Sequence, residues 1–557
     1  MFFRLVLYAF IFISNFYLIK SVSQPEVIVE QGIVRGLYTK TFSNRQIASF
    51  EGIPYAKPPI GKHRFKQSIP ADPWIGIYNA TREPPSCLQL ELFVTKTIQG
   101  SEDCLFLNVY TPKLPEGETP ELLDVVAFIH GGAFSMGKSG FYGPPVILQK
   151  DVVLVTFNYR LGPLGFLSTE DNVVPGNNGL KDQVLALKWI QKNIAAFGGN
   201  PDSVTLGGLS SGGASCNYHI LSPLSKGLFH RAICMSGAAL NPWAVAENPK
   251  EKAMMIATDL GCPVNDSQIM INCLRNRPAE HMVSLQKFSY WKDIFPLVVF
   301  APVIEPPSES AFISDLPENI IKEKVGSDVP IIFSFVKDEG LCGGADILTK
   351  PGHYTEMLDR WDEVMPHILD YNYTVPHEKR SEIGQQIKKY YKVDDSPQGR
   401  KNLIRMIGDR LFYAGISKMS KLLASTQISP VYIYKFSYRG KHSSLEFLNI
   451  KEDLGVNHGD DIFYTLGFSN VRLLETESDI EISEQLLDVF VTFIRNGLLG
   501  GNWEAVNVQL PKIVFTDIKG PNDFQLDTVD ELGEETFWDS LGFNENLKLP
   551  AYNHDEF

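Results

Sequence analysis

The stretch Val204-Thr205-Leu206-Gly207-Gly208-Leu209-Ser210-Ser211-Gly212-Gly213-Ala214-Ser215 decides the fold. A β-branched run leads directly into the pattern Gly-x-Ser-x-Gly, and small residues follow. This order predicts a strand, a sharp turn and a helix, with Ser210 at the apex of the turn. Gly208 and Gly212 flank the serine because bulkier residues would collide with the backbone of so tight a turn. The hydroxyl of Ser210 is then free to attack a carbonyl, and the N–H of Ser211 lies beside that carbonyl.

Short apolar runs bounded by turn residues recur along the chain, with helical patterns between them. The runs cover residues 125–129, 152–157, 204–206, 330–335 and 431–436. Between the second and third runs, residues 180–197 have the apolar spacing of a helix, and Gly198-Gly199-Asn200-Pro201 is a strong stop signal. Apolar strands separated by helices predict an α/β fold with a large, mostly parallel central sheet flanked by helices. Active sites of such sheets lie at the carboxyl ends of the strands.

The composition indicates one large domain with irregular insertions. The 557 residues are 44% hydrophobic, and the 35 prolines and 44 glycines are scattered rather than pooled in a linker. We therefore expect a single domain over residues 24–545. The formal net charge is −14 and no long run of Lys or Arg occurs, so the basic face that a nucleic-acid partner requires is not expected.

The first residues have the pattern of a signal peptide, predicted over 1–23. Arg4 precedes an apolar run over 5–19, and Ser21 and Ser23 suit the −3 and −1 positions of a signal peptidase site. The alternative is an uncleaved anchor, but the run is short for a span of about 20 residues and contains polar residues. No later segment is apolar enough to span a bilayer, so a stable membrane span is not expected.

The C-terminal tail, residues 546–557, ends in His554-Asp555-Glu556-Phe557. This ending is similar to the His-Asp-Glu-Leu signal for retention in the endoplasmic reticulum and departs from it at the final Phe. A receptor that binds the carboxylate and one apolar side chain could accept Phe, and chance similarity is the alternative. The protein is therefore expected in the secretory pathway, either secreted or retained in the lumen.

In the secretory pathway cysteines can form disulfides and sequons can be glycosylated, so the positions of the seven cysteines and of the sequons become informative. Cys87 and Cys104 bracket one short loop and Cys262 and Cys273 another, although spacing alone does not fix the pairing. The remaining cysteines are Cys216, Cys234 and Cys342, and the odd total requires at least one unpaired thiol. Acceptor sequons for N-glycosylation begin at Asn79, Asn265 and Asn372.

A serine nucleophile requires donors for the oxyanion that forms when it attacks. The first apolar run ends in His130-Gly131-Gly132-Ala133-Phe134, where small residues allow backbone N–H groups to face a substrate. Our candidate donors are the N–H groups of Gly132, Ala133 and Ser211. The alternative for this motif alone is an ordinary glycine turn.

The serine also requires a base and an acid that orients it. The fourth apolar run leads into Lys337-Asp338-Glu339-Gly340, where either carboxylate could be the acid. His458, in a glycine-containing turn after the fifth run, is the candidate base. His219 and His230 lie within and after the helix that follows Ser210, on the wrong side of it. The chain order Ser, acid, His is typical of an α/β-hydrolase.

Taken together, these residues resemble the type-B carboxylesterase family of the α/β-hydrolases, which includes carboxylesterases and cholinesterases. The resemblance extends from about Val27 to about Phe524, and its segment Leu221-Ser222-Pro223-Leu224-Ser225-Lys226-Gly227-Leu228-Phe229 is most similar to insect esterases. The further matching motifs are Phe50-Glu51-Gly52-Ile53-Pro54-Tyr55-Ala56, Ser101-Glu102-Asp103-Cys104-Leu105-Phe106-Leu107-Asn108-Val109-Tyr110, Asn158-Tyr159-Arg160-Leu161-Gly162, Gly179-Leu180-Lys181-Asp182-Gln183 and Phe197-Gly198-Gly199-Asn200-Pro201.

The resemblance implies a serine ester hydrolase that works through an acyl-enzyme, without a metal or an organic cofactor. It assigns Ser210 as nucleophile, Glu339 rather than Asp338 as acid, and His458 as base. Ser236 matches a serine near this triad. The implied disulfides are Cys87–Cys104 and Cys262–Cys273.

Three positions depart from the family pattern without removing a chemical step. Leu209 stands where many members have an acidic residue or Gln, and Ser211 replaces the usual Ala but keeps its N–H. Cys342 places an unpaired thiol shortly after the acid.

The expected partner is a small-molecule ester, and the sequence disfavours choline esters. Cholinesterases use a Trp in the first disulfide loop to attract quaternary ammonium, whereas the only aromatic residue between Cys87 and Cys104 is Phe93. Trp243 and Phe300 are candidates for an apolar substrate lining, or are plain core residues. The alternative function is a catalytically silent binding or adhesion protein, but such relatives lack a triad residue. The sequence carries no signal for an oligomeric state.

Overall fold

The computed structural model describes residues 24–91, 95–284, 288–289, 291, 296–468, 471–510, 512–543 and 545. The predicted signal peptide, 1–23, and the predicted tail, 546–557, lie outside the described residues and stay predictions. Within the described part of the chain, every helix is too short or too polar to cross a membrane.

A mixed sheet of eleven strands forms the centre of the fold. Its strands in chain order are β1 (Leu37–Lys40), β2 (Gln46–Pro54), β3 (Phe106–Thr111), β4 (Leu123–Ile129), β5 (Val153–Phe157), β6 (Gly199–Leu209), β7 (Arg231–Met235), β8 (Ile331–Val336), β9 (Val431–Phe436), β10 (Ile513–Gly520) and β11 (Asp523–Val529). Their order in space is β11-β10-β9-β8-β7-β6-β4-β5-β3-β2-β1.

The predicted parallel arrangement is confirmed for the centre of the sheet. Neighbouring strands from β10 to β5 pair in parallel. The strands at both edges, β11 on one side and β3, β2 and β1 on the other, pair antiparallel. All five predicted apolar runs are central strands. Smaller sheets are formed by Glu26–Val29, Gly32–Arg35 and Ile77–Asn79, and by Gln89–Leu90 and Ile98–Gln99.

The central strands are continuously apolar because both faces of the sheet are covered. Along β4, Val125 and Ala127 pack into one hydrophobic core, while Val126 and Phe128 pack into the core on the opposite face. Since successive side chains of a strand point to opposite faces, a strand buried on both sides cannot alternate apolar with polar residues.

Helices cover both faces of the sheet. They are α1 (Gly162–Phe166), α2 (Asn178–Asn193), α3 (Ser211–Leu221), α4 (Pro249–Asp259), α5 (Ser267–Leu274), α6 (Ala279–Val283), α7 (Pro317–Lys322), α8 (Leu341–Thr349), α9 (His353–Asp359), α10 (Trp361–Ile368), α11 (Arg380–Tyr391), α12 (Pro397–Gly408), α13 (Ala414–Thr426), α14 (Glu477–Asn496) and α15 (Glu535–Ser540). A π-helical turn, Asp409–Tyr413, joins α12 to α13. The short 3₁₀ helices are Gly61–His63, Ser139–Phe141, Ile147–Gln149, Ile194–Phe197, Pro223–Ser225, Pro242–Ala244, His377–Lys379, Ser444–Leu448 and Asp460–Tyr464.

The helix predicted over 180–197 is confirmed, as α2 followed by the 3₁₀ turn Ile194–Phe197. Gly198 ends it in the left-handed region, at φ 83°, where glycine avoids the steric cost of a side chain.

Both disulfides that the family resemblance implied are present, with Cα–Cα distances of 4.9 Å for Cys87–Cys104 and 5.7 Å for Cys262–Cys273. The other three cysteines are unpaired thiols.

Candidate active site

The predicted turn around Ser210 is confirmed. Strand β6 ends at Leu209 and helix α3 begins at Ser211, with Ser210 between them at φ 60° and ψ −122°. A Cβ atom on Gly208 would collide with the carbonyl of Gly212, so this glycine is required by the close approach of the backbone. The N–H of Ser210 donates to the carbonyl of Met235 at 2.8 Å, which fixes the turn to the end of β7.

The glycine turn after β4 lies directly against this serine. A Cβ on Gly131 would be 3.1 Å from the Cβ of Ser210. Gly132 and Ala133 both have positive φ, 113° and 55°, and the N–H groups of these two residues donate no hydrogen bond to any described residue. The N–H of Ser211 belongs to the first turn of α3, where helical N–H groups lack an intrahelical acceptor. These three groups therefore remain the candidate donors for an anion at Ser210.

Glu339 is fully buried just beyond the end of β8 and accepts three hydrogen bonds. Its Oε1 atom accepts from Ser236 Oγ at 2.6 Å and from the N–H of Val336 at 2.9 Å. Its Oε2 atom lies 2.6 Å from Nδ1 of His458. The contact pairs this carboxylate with the histidine that was predicted as base.

Asp338, the alternative acid left open by the motif, points elsewhere. Its Oδ2 atom accepts the N–H of Val456 at 3.0 Å, and partial burial raises the pKa of this carboxyl. Asp338 therefore anchors the loop that carries His458 rather than contacting the imidazole.

The loop around His458 is held by a dense set of hydrogen bonds. The carboxylate of Asp460 accepts from the N–H of Asn457 at 2.9 Å and from the N–H of Ser444 at 2.7 Å. The hydroxyl of Ser444 donates to the carbonyl of His458 at 3.1 Å. On the other side, Leu209 Cδ2 lies 3.2 Å from the place that a Cβ on Gly459 would occupy. Leu209, which precedes the candidate nucleophile, thus packs against Gly459, which follows the candidate base.

One residue to which the sequence gave no role, Tyr159, supports the glycine turn. Tyr159 stacks on the imidazole of His130, with 4.4 Å between ring centroids, and its hydroxyl donates to the carbonyl of His130 at 2.9 Å. Burial lowers the pKa of His130 to about 4, so its ring is neutral near pH 7. The motif Asn158-Tyr159-Arg160 contains this tyrosine, but only the fold shows its contact.

Asp461 is a second buried carboxyl beside the acid. Its Oδ2 atom accepts from Tyr434 at 3.0 Å and from Ser334 at 3.3 Å. Burial, and secondarily the charge of Glu339, raise the pKa of Asp461 to about 7. The sequence placed Asp461 in the loop of His458 but gave no reason to expect its burial.

His219 and the two aromatic candidates are buried in the core. His219 is bonded through Nδ1 to Ser225 at 2.7 Å and through Nε2 to Gln183 at 2.8 Å, and burial lowers the pKa of this histidine to about 3. Trp243 and Phe300 are each 2% exposed. Both side chains lie in the hydrophobic core, which the sequence offered as the alternative, and a substrate lining at these positions stays a prediction.

Comparison with known proteins supports the same family. The model of the carboxylesterase family matches residues 23–526. Esterase FE4 of Myzus persicae is 42% identical over 503 residues, covering 89% of this chain and 88% of the relative. Venom carboxylesterase-6 of Apis mellifera is 38% identical, covering 94% and 95%.

A solved structure shares the architecture. Juvenile hormone esterase from Manduca sexta, with OTFP covalently attached, superposes with a TM-score of 0.80 at 29% identity, covering 93% of this chain and 99% of the other. The two disulfides and the insect esterase relatives agree with a secreted protein. The chain belongs to the carboxylesterase family, has the α/β-hydrolase fold and is a carboxylic ester hydrolase.

Proposed function

We propose that the chain hydrolyses carboxylic esters through an acyl-enzyme formed on Ser210. The observation that carries this proposal is the 2.6 Å contact between Glu339 and His458. The residue after this histidine, Gly459, lies against Leu209, the residue before Ser210. A carboxylate bound at Nδ1 leaves Nε2 of the imidazole to exchange a proton with the serine.

In the acylation step, His458 takes the proton of Ser210 while Oγ forms a bond to the ester carbonyl carbon. The carbonyl oxygen becomes an oxyanion that accepts from the N–H groups of Gly132, Ala133 and Ser211. Collapse of the tetrahedral intermediate breaks the bond to the alcohol, which receives the proton from His458. Water then repeats the sequence on the acyl-enzyme and releases the acid. Each oxyanion donor is expected to contribute about 3 kcal/mol to transition-state stabilisation.

Glu339 orients the imidazole and stabilises the imidazolium that forms in both steps. Its burial and its three hydrogen bonds support this role, because a fixed carboxylate holds the ring in one tautomer and one direction. Ser236 is a positioning residue that fixes the other oxygen of the carboxylate.

The substrate class that we propose is a small, hydrophobic carboxylic ester. The aromatic ring of Phe412 packs on the imidazole of His458, with 4.8 Å between centroids, so one face of the base is covered by an apolar group. The Manduca sexta relative is a juvenile hormone esterase, which supports an ester as the substrate.

We further propose a single catalytic domain over 24–545 that is exported after removal of the signal peptide 1–23. The C-terminal His-Asp-Glu-Phe then decides between secretion and retention in the endoplasmic reticulum. Exchange of Phe557 for Leu is expected to increase retention, and deletion of the final four residues to increase secretion.

The function is tested by labelling the purified protein with a fluorophosphonate, followed by peptide mapping. Such a probe reacts with a serine that is activated by its base and oxyanion donors. We expect the adduct on Ser210, and we expect Ser210→Ala to lower kcat by several orders of magnitude. The matched control is Ser222→Ala, a buried serine at the far end of α3. A folded Ser210→Ala protein with normal ester turnover would refute the mechanism.

A further inference from the structure

The helical segment that runs from α12 to α13 changes register directly over the acid. The end of α12, directly before its π-helical turn Asp409–Tyr413, packs against the turn that contains Glu339 and Gly340. A Cβ on Gly340 would collide with the carbonyl of Ile404 and would lie 2.6 Å from the N atom of Gly408. Single π-helical turns inside α-helices are rare and are often found at functional sites.

Tyr413, the last residue of the π-helical turn, contacts the strand end that carries the acid. Its hydroxyl lies 2.7 Å from the carbonyl of Val336 and 2.7 Å from the carbonyl of Lys337, so its single hydrogen is shared between two acceptors. The N–H of the same Val336 donates to Glu339. The tyrosine therefore holds the two peptide groups that lie between the donor of this hydrogen bond and Glu339.

Phe412, the preceding residue, contacts the base. Its ring lies 4.8 Å from the imidazole of His458, centroid to centroid, at an interplanar angle of 42°. Phe412 thus contacts the base, and the next residue, Tyr413, contacts the strand end that leads to the acid.

The turn is itself fixed from the opposite side by buried side chains. Asn241 Nδ2 donates to the carbonyls of Leu411 and Phe412 at 2.9 and 2.8 Å, and Trp243 Nε1 donates to that of Leu411 at 2.6 Å. These bonds satisfy carbonyl groups whose regular α-helical pairing is disturbed by the π register. They also explain why Trp243 is a core residue.

We propose that the π-helical turn Asp409–Tyr413 is a positioning element for catalysis, in which Tyr413 fixes the acid through β8 and Phe412 fixes the imidazole of the base. This inference rests on the proposed roles of Glu339 and His458. It assigns Tyr413 and Phe412 a function that is separate from contact with the reacting atoms.

The first test compares Tyr413→Phe with Tyr354→Phe. Tyr354, on α9, is a matched control because its hydroxyl also donates to a backbone carbonyl, that of Asp394 at 2.6 Å, which lies outside the π-helical turn and the acid's strand. We expect Tyr413→Phe to lower kcat about tenfold, because small misplacements of catalytic groups are costly, and to leave KM within about twofold. Tyr354→Phe is expected to retain kcat. Equal losses in both variants, or a change confined to KM, would overturn the proposal.

The second test repeats Tyr413→Phe in a Glu339→Gln background. If Tyr413 acts through the carboxylate, its removal is expected to lower kcat by less than about twofold there, because residues that act as a unit are not additive. A full tenfold loss in both backgrounds would show a general structural effect and would overturn the proposal. Denaturant unfolding of each variant establishes that the folded protein is being assayed.

The third test removes the ring that contacts the base. Phe412→Leu is expected to lower kcat about fivefold. The matched control is Phe197→Leu, the same change at a buried phenylalanine that packs edge-on against Phe50, and it is expected to retain kcat. Equal activity of the two variants would remove Phe412 from the proposal. The two proposals fail separately. Normal turnover by Ser210→Ala would refute the proposed mechanism, whereas normal turnover by Tyr413→Phe and Phe412→Leu would refute only the positioning role.

Discussion

The Oε2 atom of Glu339 lies 2.6 Å from Nδ1 of His458, although 119 residues separate the two in the chain. The carboxylate is inaccessible to solvent and is held at its other oxygen by Ser236 and by the N–H of Val336. The direction of the imidazole is therefore determined by groups at the ends of β7 and β8. Mutations that disturb these supports should reduce turnover without touching the substrate.

Replacement of Ser236 by Ala removes one of the donors to the buried carboxylate. Since a hydrogen bond to a charged group contributes about 1.5 to 3 kcal/mol, we expect a stability loss of this size and a decrease in kcat of about tenfold. The measurements are denaturant unfolding and steady-state kinetics. Ser420→Ala is the control, because it removes a buried hydroxyl that donates to the carbonyl of Ser417, away from the acid. A normal kcat in the destabilised Ser236→Ala protein would contradict the positioning role.

Gly132→Ala should damage the oxyanion donors. The residue has φ 113°, and its new Cβ would collide with the carbonyl of Met136, so the turn must change shape. Loss of a donor of this kind lowers kcat by about 10² to 10³-fold. Gly352→Ala is the control, because this glycine also has a positive φ, 74°, but open space around its Cβ position. The prediction fails if kcat/KM is similar in the two variants.

The sequence predicted the elements whose signals are local. A continuous apolar run identifies a central strand wherever it occurs, and Gly208 and Gly212 identify the turn at Ser210 because only glycine fits there. The edge strands carry a weaker signal. β11, for example, is mostly exposed and has no apolar run.

The choice between Asp338 and Glu339 could not be made from the residues and came from family resemblance. In the structure the carboxylate of Asp338 accepts a hydrogen bond from the N–H of Val456, whereas the carboxylate of Glu339 contacts Nδ1 of His458. Tyr413 and Phe412 were not predicted at all. Their contacts depend on a π-helical register and on residues distant in the chain, and neither leaves a pattern in one sequence.

The structure distinguishes the three glycosylation sequons. Asn79 and Asn265 are exposed, whereas Asn372 is half-buried and the Thr374 of its sequon is 3% exposed, with its hydroxyl donating to the carbonyl of Tyr371. A bulky glycan requires a surface position. We expect glycans at Asn79 and Asn265 but not at Asn372.

These sites can be checked by enzymatic removal of N-glycans, which converts the occupied Asn to Asp, followed by peptide mass mapping. Asn79→Gln and Asn265→Gln should each increase electrophoretic mobility of the secreted protein, and Asn372→Gln should not. A glycan found on Asn372 would contradict the assignment by exposure.

Asp461 should make the protein less stable as the pH rises. Burial and the nearby charge of Glu339 raise the pKa of this carboxyl to about 7, from an ordinary value near 4 in the unfolded chain. Between these values the folded state holds a proton that the unfolded state has released, so the free energy of unfolding decreases with increasing pH. The penalty is absent below about pH 4 and complete above about pH 7, where it is on the order of 4 kcal/mol.

Asp461→Asn removes this ionisation and keeps an oxygen that accepts from Tyr434. Denaturant unfolding at pH 5 and pH 8 should therefore show a stability difference, variant minus native protein, that becomes more favourable to the variant at the higher pH. Asp527→Asn, on the exposed face of β11, provides the control for loss of a carboxylate at the surface. If the difference for Asp461→Asn is the same at both pH values, the buried carboxyl titrates alike in the folded and unfolded states, and its burial carries no pH-dependent cost.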